Sequence, residues 1–298
     1  MNDFLATLIN GISLGSMYAL IALGYTMVYG IAKMLNFAHG DIIMVGGITT
    51  FTVMQYTNMP PWVAVLAAVA VCTVLGVVIE KVAYKPLRGV SSLTVLITAI
   101  GVSYLLQNVA LLTFGTENKS YSFSFLTALN WQINEHLIIQ GSTIVNVVIM
   151  LVIMVALLLF VHFTKQGKAM RAVSEDNGAA QLMGINVNAT ISLTFAIGSA
   201  LAGIAGFMYI GTYSQIGAYA GTMPGIKAFT AAVFGGIGSI PGAMIGGIAL
   251  GIIEQFSKSI LAQFQLSALA DAIVFVILIL VLLIKPTGLL GRQIKEKV

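Results

Sequence analysis

Residues 4–32 read FLATLINGISLGSMYALIALGYTMVYGIA, and from Phe4 to Ala32 not one of them is charged. A helix that crosses a bilayer needs about 20 mainly apolar residues, and this run exceeds that length. Asp3 is the only charge ahead of it. Cleavable export signals begin with a basic region and have a shorter apolar core, so the run reads as a retained span. Further charge-free runs extend from Ile42 to Ile79, from Gly89 to Thr116 and from Val187 to Ile226.

Composition agrees with that pattern. Of 298 residues, 58% are hydrophobic and 8% are charged, whereas a soluble domain carries about 25% charged residues. Too few charges are left to build a water-facing shell, so a soluble globular fold is excluded. The net charge of +4 reports orientation in such a chain, not nucleic-acid binding. Cys72, the single cysteine, has no partner for a disulfide or a thiolate metal site.

The apolar runs, broken by Pro, Gly and charges, predict spans near Phe4–Gly30, Asp41–Tyr56, Trp62–Val82, Ser92–Phe114, Ser142–Phe163, Ala189–Gly211 and Ala268–Ile284. The interrupted stretch from Gly217 to Phe256 predicts a half-helix at Thr222–Phe234 and a full span at Pro241–Phe256. The expected fold is therefore an all-α polytopic membrane protein with about nine crossings, or eight if the half-helix dips in and returns. The whole of 1–298 reads as one transmembrane domain. Eleven of the fourteen basic residues fall on one set of ends: Lys33, Lys81, Lys85, Arg88, Lys165, Lys168, Arg171, Lys285, Arg292, Lys295 and Lys297. Basic loops mark the cytoplasmic side. The C-terminus is then inside, the N-terminus outside, and the loop Gly115–Gly141, with Trp131, external at the headgroup level. Glycine is frequent, at 31 residues, and clusters as Gly198, Gly203, Gly206 and Gly242, Gly246, Gly247, Gly251. Such spacing suits close helix packing in lipid.

Three stretches break the apolar regularity. Asn36-Phe37-Ala38-His39-Gly40-Asp41 joins the first two spans with almost no loop. Polar, irregular backbone at membrane depth persists only where protein buries it or water reaches it, and ionisable groups there mark pathways. Asn36 or Asp41 could equally cap the second helix. In the second stretch a short helix beginning near Pro224 carries Lys227. It is followed by Gly235, Gly236, Gly238 and Pro241, which break and restart the chain. Interrupted helices point to a transporter's route, and the competing expectation is that Lys227 snorkels to the outer headgroups. The candidate translocation residues are Asn36, His39, Gly40, Asp41, Lys227, Gly235, Gly236, Gly238 and Pro241. The third stretch, Lys168 to Asn186, reads as one short amphipathic helix inside a cytoplasmic loop, 164–188. Arg171 and Glu175 are spaced to face each other, and Gly184 suits the left-handed position that ends a helix. Such a helix either docks in a groove of another protein or lies on the membrane.

No phosphate-binding loop of the form G-x-x-x-x-G-K-[ST] is present, and no His, Cys or Glu set has metal-ligand spacing. His39, His136 and His162 lie on separate segments. These patterns predict no enzyme, no metal and no cofactor.

The order and spacing of several segments carry a resemblance over nearly the whole chain. They are Asn10-Gly11-Ile12-Ser13-Leu14-Gly15-Ser16-Met17-Tyr18-Ala19-Leu20, then Asn36 to Asp41, then Glu175-Asp176 with Ala179-Ala180 and Gly184-Ile185. They continue as Gly225-Ile226-Lys227-Ala228-Phe229-Thr230-Ala231-Ala232-Val233-Phe234-Gly235-Gly236 and Ile237-Gly238-Ser239-Ile240-Pro241-Gly242-Ala243. Together they resemble the permeases of branched-chain amino acid ABC importers, the LivH-type subunit; where Asp41 stands, that family often has Glu. The resemblance implies the ABC importer permease fold and a multi-pass location in the cytoplasmic (inner) membrane. It implies a paralogous second permease, two cytoplasmic ATPase subunits and an extracytoplasmic solute-binding protein. It also implies that Arg171, Glu175, Asp176, Ala179, Ala180 and Gly184 belong to the helix an ATPase grips. Related permeases carry urea, short amides, sugars or nucleosides, and nothing in the residues separates these solutes. A self-sufficient carrier or channel is the rival class. It requires buried charges for ion coupling, for which only Glu254 and Asp271 are candidates.

Overall fold

The structure is a computed structural model and describes residues 2–57, 59–134 and 137–291. His136, Arg292, Lys295 and Lys297 fall outside the described residues. Nine helices stand where apolar segments predict them: α1 (Asn2–Ala32), α2 (His39–Thr57), α3 (Pro61–Ile79), α4 (Ser92–Phe114), α6 (Gly141–Phe163), α9 (Val187–Tyr213), α10 (Thr222–Gly235), α11 (Ile240–Ala262) and α12 (Ala270–Ile284). Between them lie α5 (Ser124–Ala128), α7 (Lys165–Glu175) and α8 (Asn177–Leu182). Among the described residues, seven helical stretches are long and apolar enough to cross a membrane, and α2 and α10 are not among them. The chain is an all-α polytopic membrane protein. Apolar side chains such as Leu93, Ile97, Leu112, Ile279 and Leu283 face outward, as lipid-facing residues do.

Local chemistry sets the helix ends. Ser91 accepts from Thr94 N–H to cap α4, Asn186 from Ala189 N–H to cap α9, and Ser239 from Gly242 N–H to cap α11. Each satisfies an N–H that the first turn leaves without a partner. Pro61 and Pro241 occupy early helical positions, where a missing N–H does no harm. Beyond α3 the helix widens into a π turn, Glu80–Tyr84, and then tightens into a 3-10 turn, Lys85–Leu87. Pro86 accounts for the change, because its ring clashes with the carbonyl four residues back and it donates no bond.

The chain falls into two compact units. The first comprises Met1–Thr26, Phe125–Met154 and Lys227–Val298; the second comprises Met27–Ser124 and Val155–Ile226. In the first unit α1 packs antiparallel on α11, and a β-carbon on Gly15 would lie 2.7 Å from Ile248 Cα. In the second, α2, α3 and α9 form the packed centre. A β-carbon on Gly203 would lie 2.8 Å from the Ala68 carbonyl oxygen, and one on Gly46 would lie 2.9 Å from Gly203 Cα. Small residues here let helix backbones touch, which is how helices associate where no hydrophobic drive operates between them.

The loop between α4 and α6 has structure of its own. Strand β1 (Lys119–Ser120) pairs antiparallel with β4 (Gln215–Ile216), and β2 (Trp131–Asn134) pairs antiparallel with β3 (Leu137–Ile139). Trp131 is exposed on its hairpin.

Candidate functional site

The predicted translocation residues fall in both units, and each group is described by itself. In the second unit, α2 and α10 begin beside each other. A β-carbon on Gly40 would lie 2.6 Å from the Gly221 carbonyl oxygen and 3.2 Å from Gly225 Cα. Both helix starts meet the middle of the 23-residue α4, not its end. Gln107 Nε2 donates to Asp41 Oδ1 at 2.9 Å and reaches Thr222 Oγ1 at 3.5 Å. Ser103 donates to the other Asp41 oxygen. Asp41 is 2% exposed, and Ser103 and Gln107 are neutral donors. Its place in the first turn of α2 sets it against the positive end of that helix, which favours an anion.

The capping expectation does not hold for these side chains. Asn36 Oδ1 accepts from Tyr84 Oη at 2.9 Å, and both Asp41 oxygens are taken by α4. Asn36 Nδ2 has no partner among the described residues. His39 is buried at 1% exposed, and its backbone N–H donates to the Asn36 carbonyl.

In the first unit, Lys227 does not snorkel. It is 6% exposed and donates to Glu254 Oε1 at 2.8 Å and to Asp271 Oδ1 at 2.7 Å. Lys258 donates to the same Glu254 oxygen at 2.6 Å, and Tyr18 Oη donates to Oε2 at 2.9 Å. Glu254 is fully buried. Two cations thus meet two carboxylates on three helices. Gly235, Gly236, Gly238 and Pro241 form the turn from α10 into α11, with Gly236 and Gly238 in the left-handed region at φ 105° and 94°. The C-terminal segment covers this turn: Leu289 and Leu290 N–H donate to the Phe234 and Gly235 carbonyls, both at 2.9 Å.

The loop segment of the second unit is two helices, not one. Asp176 is extended (φ −154°, ψ 115°) and ends α7; its Oδ1 then accepts from Gly178 and Ala179 N–H at 2.7 and 2.9 Å to start α8. A side chain that offers a cap so readily breaks a helix instead of continuing it. Gly184 has φ 81°, as its position demands. Arg171 turns toward the His162 carbonyl at 3.5 Å and forms no ion pair with Glu175. Ala180 is buried at 3% exposed, so it packs inward and offers no docking face. The outward surface is Glu175, Asp176, Ala179 and the apolar pair Leu182 and Met183, 91% and 82% exposed.

Sequence reasoning gave no site role to Tyr18, Glu80, Tyr84, Arg88, Ser103 or Gln107. Arg88 served there only as an orientation marker and Tyr18 only as part of a resembling segment; Glu80 carried a signal as an acid at the end of an apolar span.

The sequence model of the family described as branched-chain amino acid transport system / permease component matches residues 7–282. The high-affinity branched-chain amino acid transport system permease protein LivH of Escherichia coli (strain K12) is 44% identical over 307 residues, covering 99% of this chain and 98% of that one. The protein BraD of Pseudomonas aeruginosa, with the same description, is 43% identical over 308 residues, covering 99% and 98%.

Proposed function

The chain belongs to the branched-chain amino acid transport permease family, and on that premise we propose that it is the LivH-type pore subunit of an ABC importer for leucine, isoleucine and valine. It pairs with a paralogous permease in the cytoplasmic membrane. Two ATPase subunits drive it from the cytoplasmic side, and an extracytoplasmic binding protein delivers the solute. The C-terminus and α7–α8 lie inside, and the N-terminus outside.

The observation that carries this reading is the exposed tip of α8. Leu182 and Met183 stand almost fully free on a helix pair otherwise rich in charge. A carrier that works alone has no use for such a tip; an ATPase groove does. Glu175 and Asp176 supply carboxylates for charge-assisted bonds to that partner. The solute route runs by the start of α2, where Asn36, His39, Gly40 and Asp41 place polar groups beside a helix that begins at the middle of α4. The Asn36 Nδ2, without a partner among the described residues, supports this, because a buried donor without a partner costs about 1–3 kcal/mol unless water or solute satisfies it.

The buried charges around Glu254 are the feature that an ion-coupled carrier would need. In that cluster the two lysines already pair with the two carboxylates. The test is reconstitution of the importer with its binding protein in liposomes. Leucine should stimulate ATP hydrolysis and enter the lumen. Uptake by this chain without ATPase subunits would overturn the reading.

A further inference from the structure

Segment 80–88 lies in the second unit between the start of α9 and the link from α1 to α2. On α9, Asn188, Ser192 and Phe195 are spaced four and three apart, so they share one helix face. All three meet the segment. Arg88 Nη1 donates to Asn188 Oδ1, Ser192 Oγ donates to Glu80 Oε2 at 2.7 Å, and the Phe195 ring lies 5.1 Å from that of Tyr84. Arg88 Nη2 also pairs with Glu80 Oε1, and Glu80 and Tyr84 are both fully buried. At its far side, Tyr84 donates to Asn36, in the same link that leads into Asp41. Meanwhile α9 follows directly on α8 through the turn at Gly184.

We propose that Glu80, Tyr84 and Arg88 are positioning residues for transport, carrying a displacement of α7–α8 through the face of α9 to Asn36 and the start of α2. This rests on the assignment of α7–α8 as the ATPase contact. The element able to take two states is the π turn. The Lys85 N–H closes a five-residue bond to the Glu80 carbonyl, one residue wider than an α-turn, and such turns occur often at functional sites. Slipping by one residue to an α-turn rotates Tyr84 about the helix axis and breaks its bond to Asn36. Glu80 and Arg88, fixed to α9, hold one register while α9 stays in place. Packed interfaces of this kind switch between discrete arrangements and do not deform smoothly.

The experiment compares the complete reconstituted importer carrying wild-type chain, Tyr84→Phe or Ser192→Ala, reading leucine taken up per ATP hydrolysed. Tyr84→Phe keeps the ring against Phe195 and deletes only the bond to Asn36. It should lower that ratio about threefold or more, the size that one coupling contact commonly carries, with ATPase co-purification unchanged. Ser192→Ala should act in the same direction. Adding Asn36→Ala to Tyr84→Phe should lower the ratio no further than the larger single effect, because both act on one contact. A wild-type ratio in Tyr84→Phe overturns the proposal, and so does a fall matched by equal loss of assembled complex. A wild-type importer without leucine-dependent hydrolysis overturns the ATPase reading and the relay together. A working wild type with a silent Tyr84→Phe overturns the relay alone.

Discussion

Removing one partner from a buried ion pair leaves the other charged and away from water, which costs about 3–5 kcal/mol. Lys227 and Glu254, with side chains 7% and 0% exposed, meet that condition. Lys227→Met should therefore destabilise the protein by up to about 3 kcal/mol, read as a drop in the thermal midpoint of the detergent-solubilised chain. Lys258 remains beside Glu254 and limits the loss; Asp271, a third exposed, stays hydrated. The double variant Lys227→Met/Glu254→Gln should recover much of the stability, since exchanging both charges of a buried pair is far milder than exchanging one. A double variant as unstable as Lys227→Met would show that the pair is not the source of the effect. At Asp41, Gln107→Leu removes one charge-assisted bond worth about 1.5–3 kcal/mol. Leucine uptake should fall while the complex still assembles. Lys227 stood out in the sequence as a lone cation in an apolar stretch, but its partners did not. Glu254 is 27 positions away and Asp271 is 44, and Tyr18, which binds the same Glu254, lies 236 positions before it; spacing along the chain carries no distance of that kind. The same limit hid the bonds from Ser103 and Gln107 to Asp41.

Helices themselves were largely legible, because each needs only a local apolar run and end signals such as Ser91, Asn186 and Pro241. What the pattern did not disclose was where a helix changes form. The π turn at Glu80–Tyr84 depends on Pro86, and the break at Asp176 depends on a cap competing with helix continuation. The inward turn of Ala180 follows from that break. Consequently Ala180→Trp would disrupt packing within the loop and tell little about docking, whereas Leu182→Asp changes only an exposed side chain. It should lower ATPase co-purification about tenfold, leaving the amount of permease in the membrane unchanged. Full binding by Leu182→Asp would reduce α7–α8 to a surface feature. Elsewhere, Gly15→Val places a branched side chain where Ile248 Cα lies 2.7 Å from the first added carbon. It should separate α1 from α11 and sharply reduce the folded chain recovered from membranes, whereas Gly101→Ala, with nothing within 4 Å, should not.

At the scale of the whole molecule, relative helix directions can be read within each unit. In the second unit Asp41 meets Gln107 and Phe51 meets Phe114, so α2 and α4 run the same way. In the first, Gly11 lies by Ile252 and Gly15 by Ile248, so α1 and α11 run oppositely. The proposed topology takes the passes to alternate in chain order, with α2 and the link before it counting as one and α10 with the segment before it as another. With nine passes, the number proposed here, the two chain ends would face opposite sides, and the basic residues would assign the inside to Lys168 and Lys285. Cys72 is the only cysteine and is buried, so it adds little background in a labelling scan. An impermeant maleimide applied to intact cells should label Asn2→Cys and Glu117→Cys. It should reach Lys168→Cys and Lys285→Cys only after permeabilisation. Labelling of Asn2→Cys and Lys285→Cys from the same face would make the pass count even. Either α2 or α10 would then be re-entrant, and every assignment of inside and outside beyond that helix would invert, carrying α7–α8 to the wrong side of the membrane for an ATPase if the inversion falls at α2.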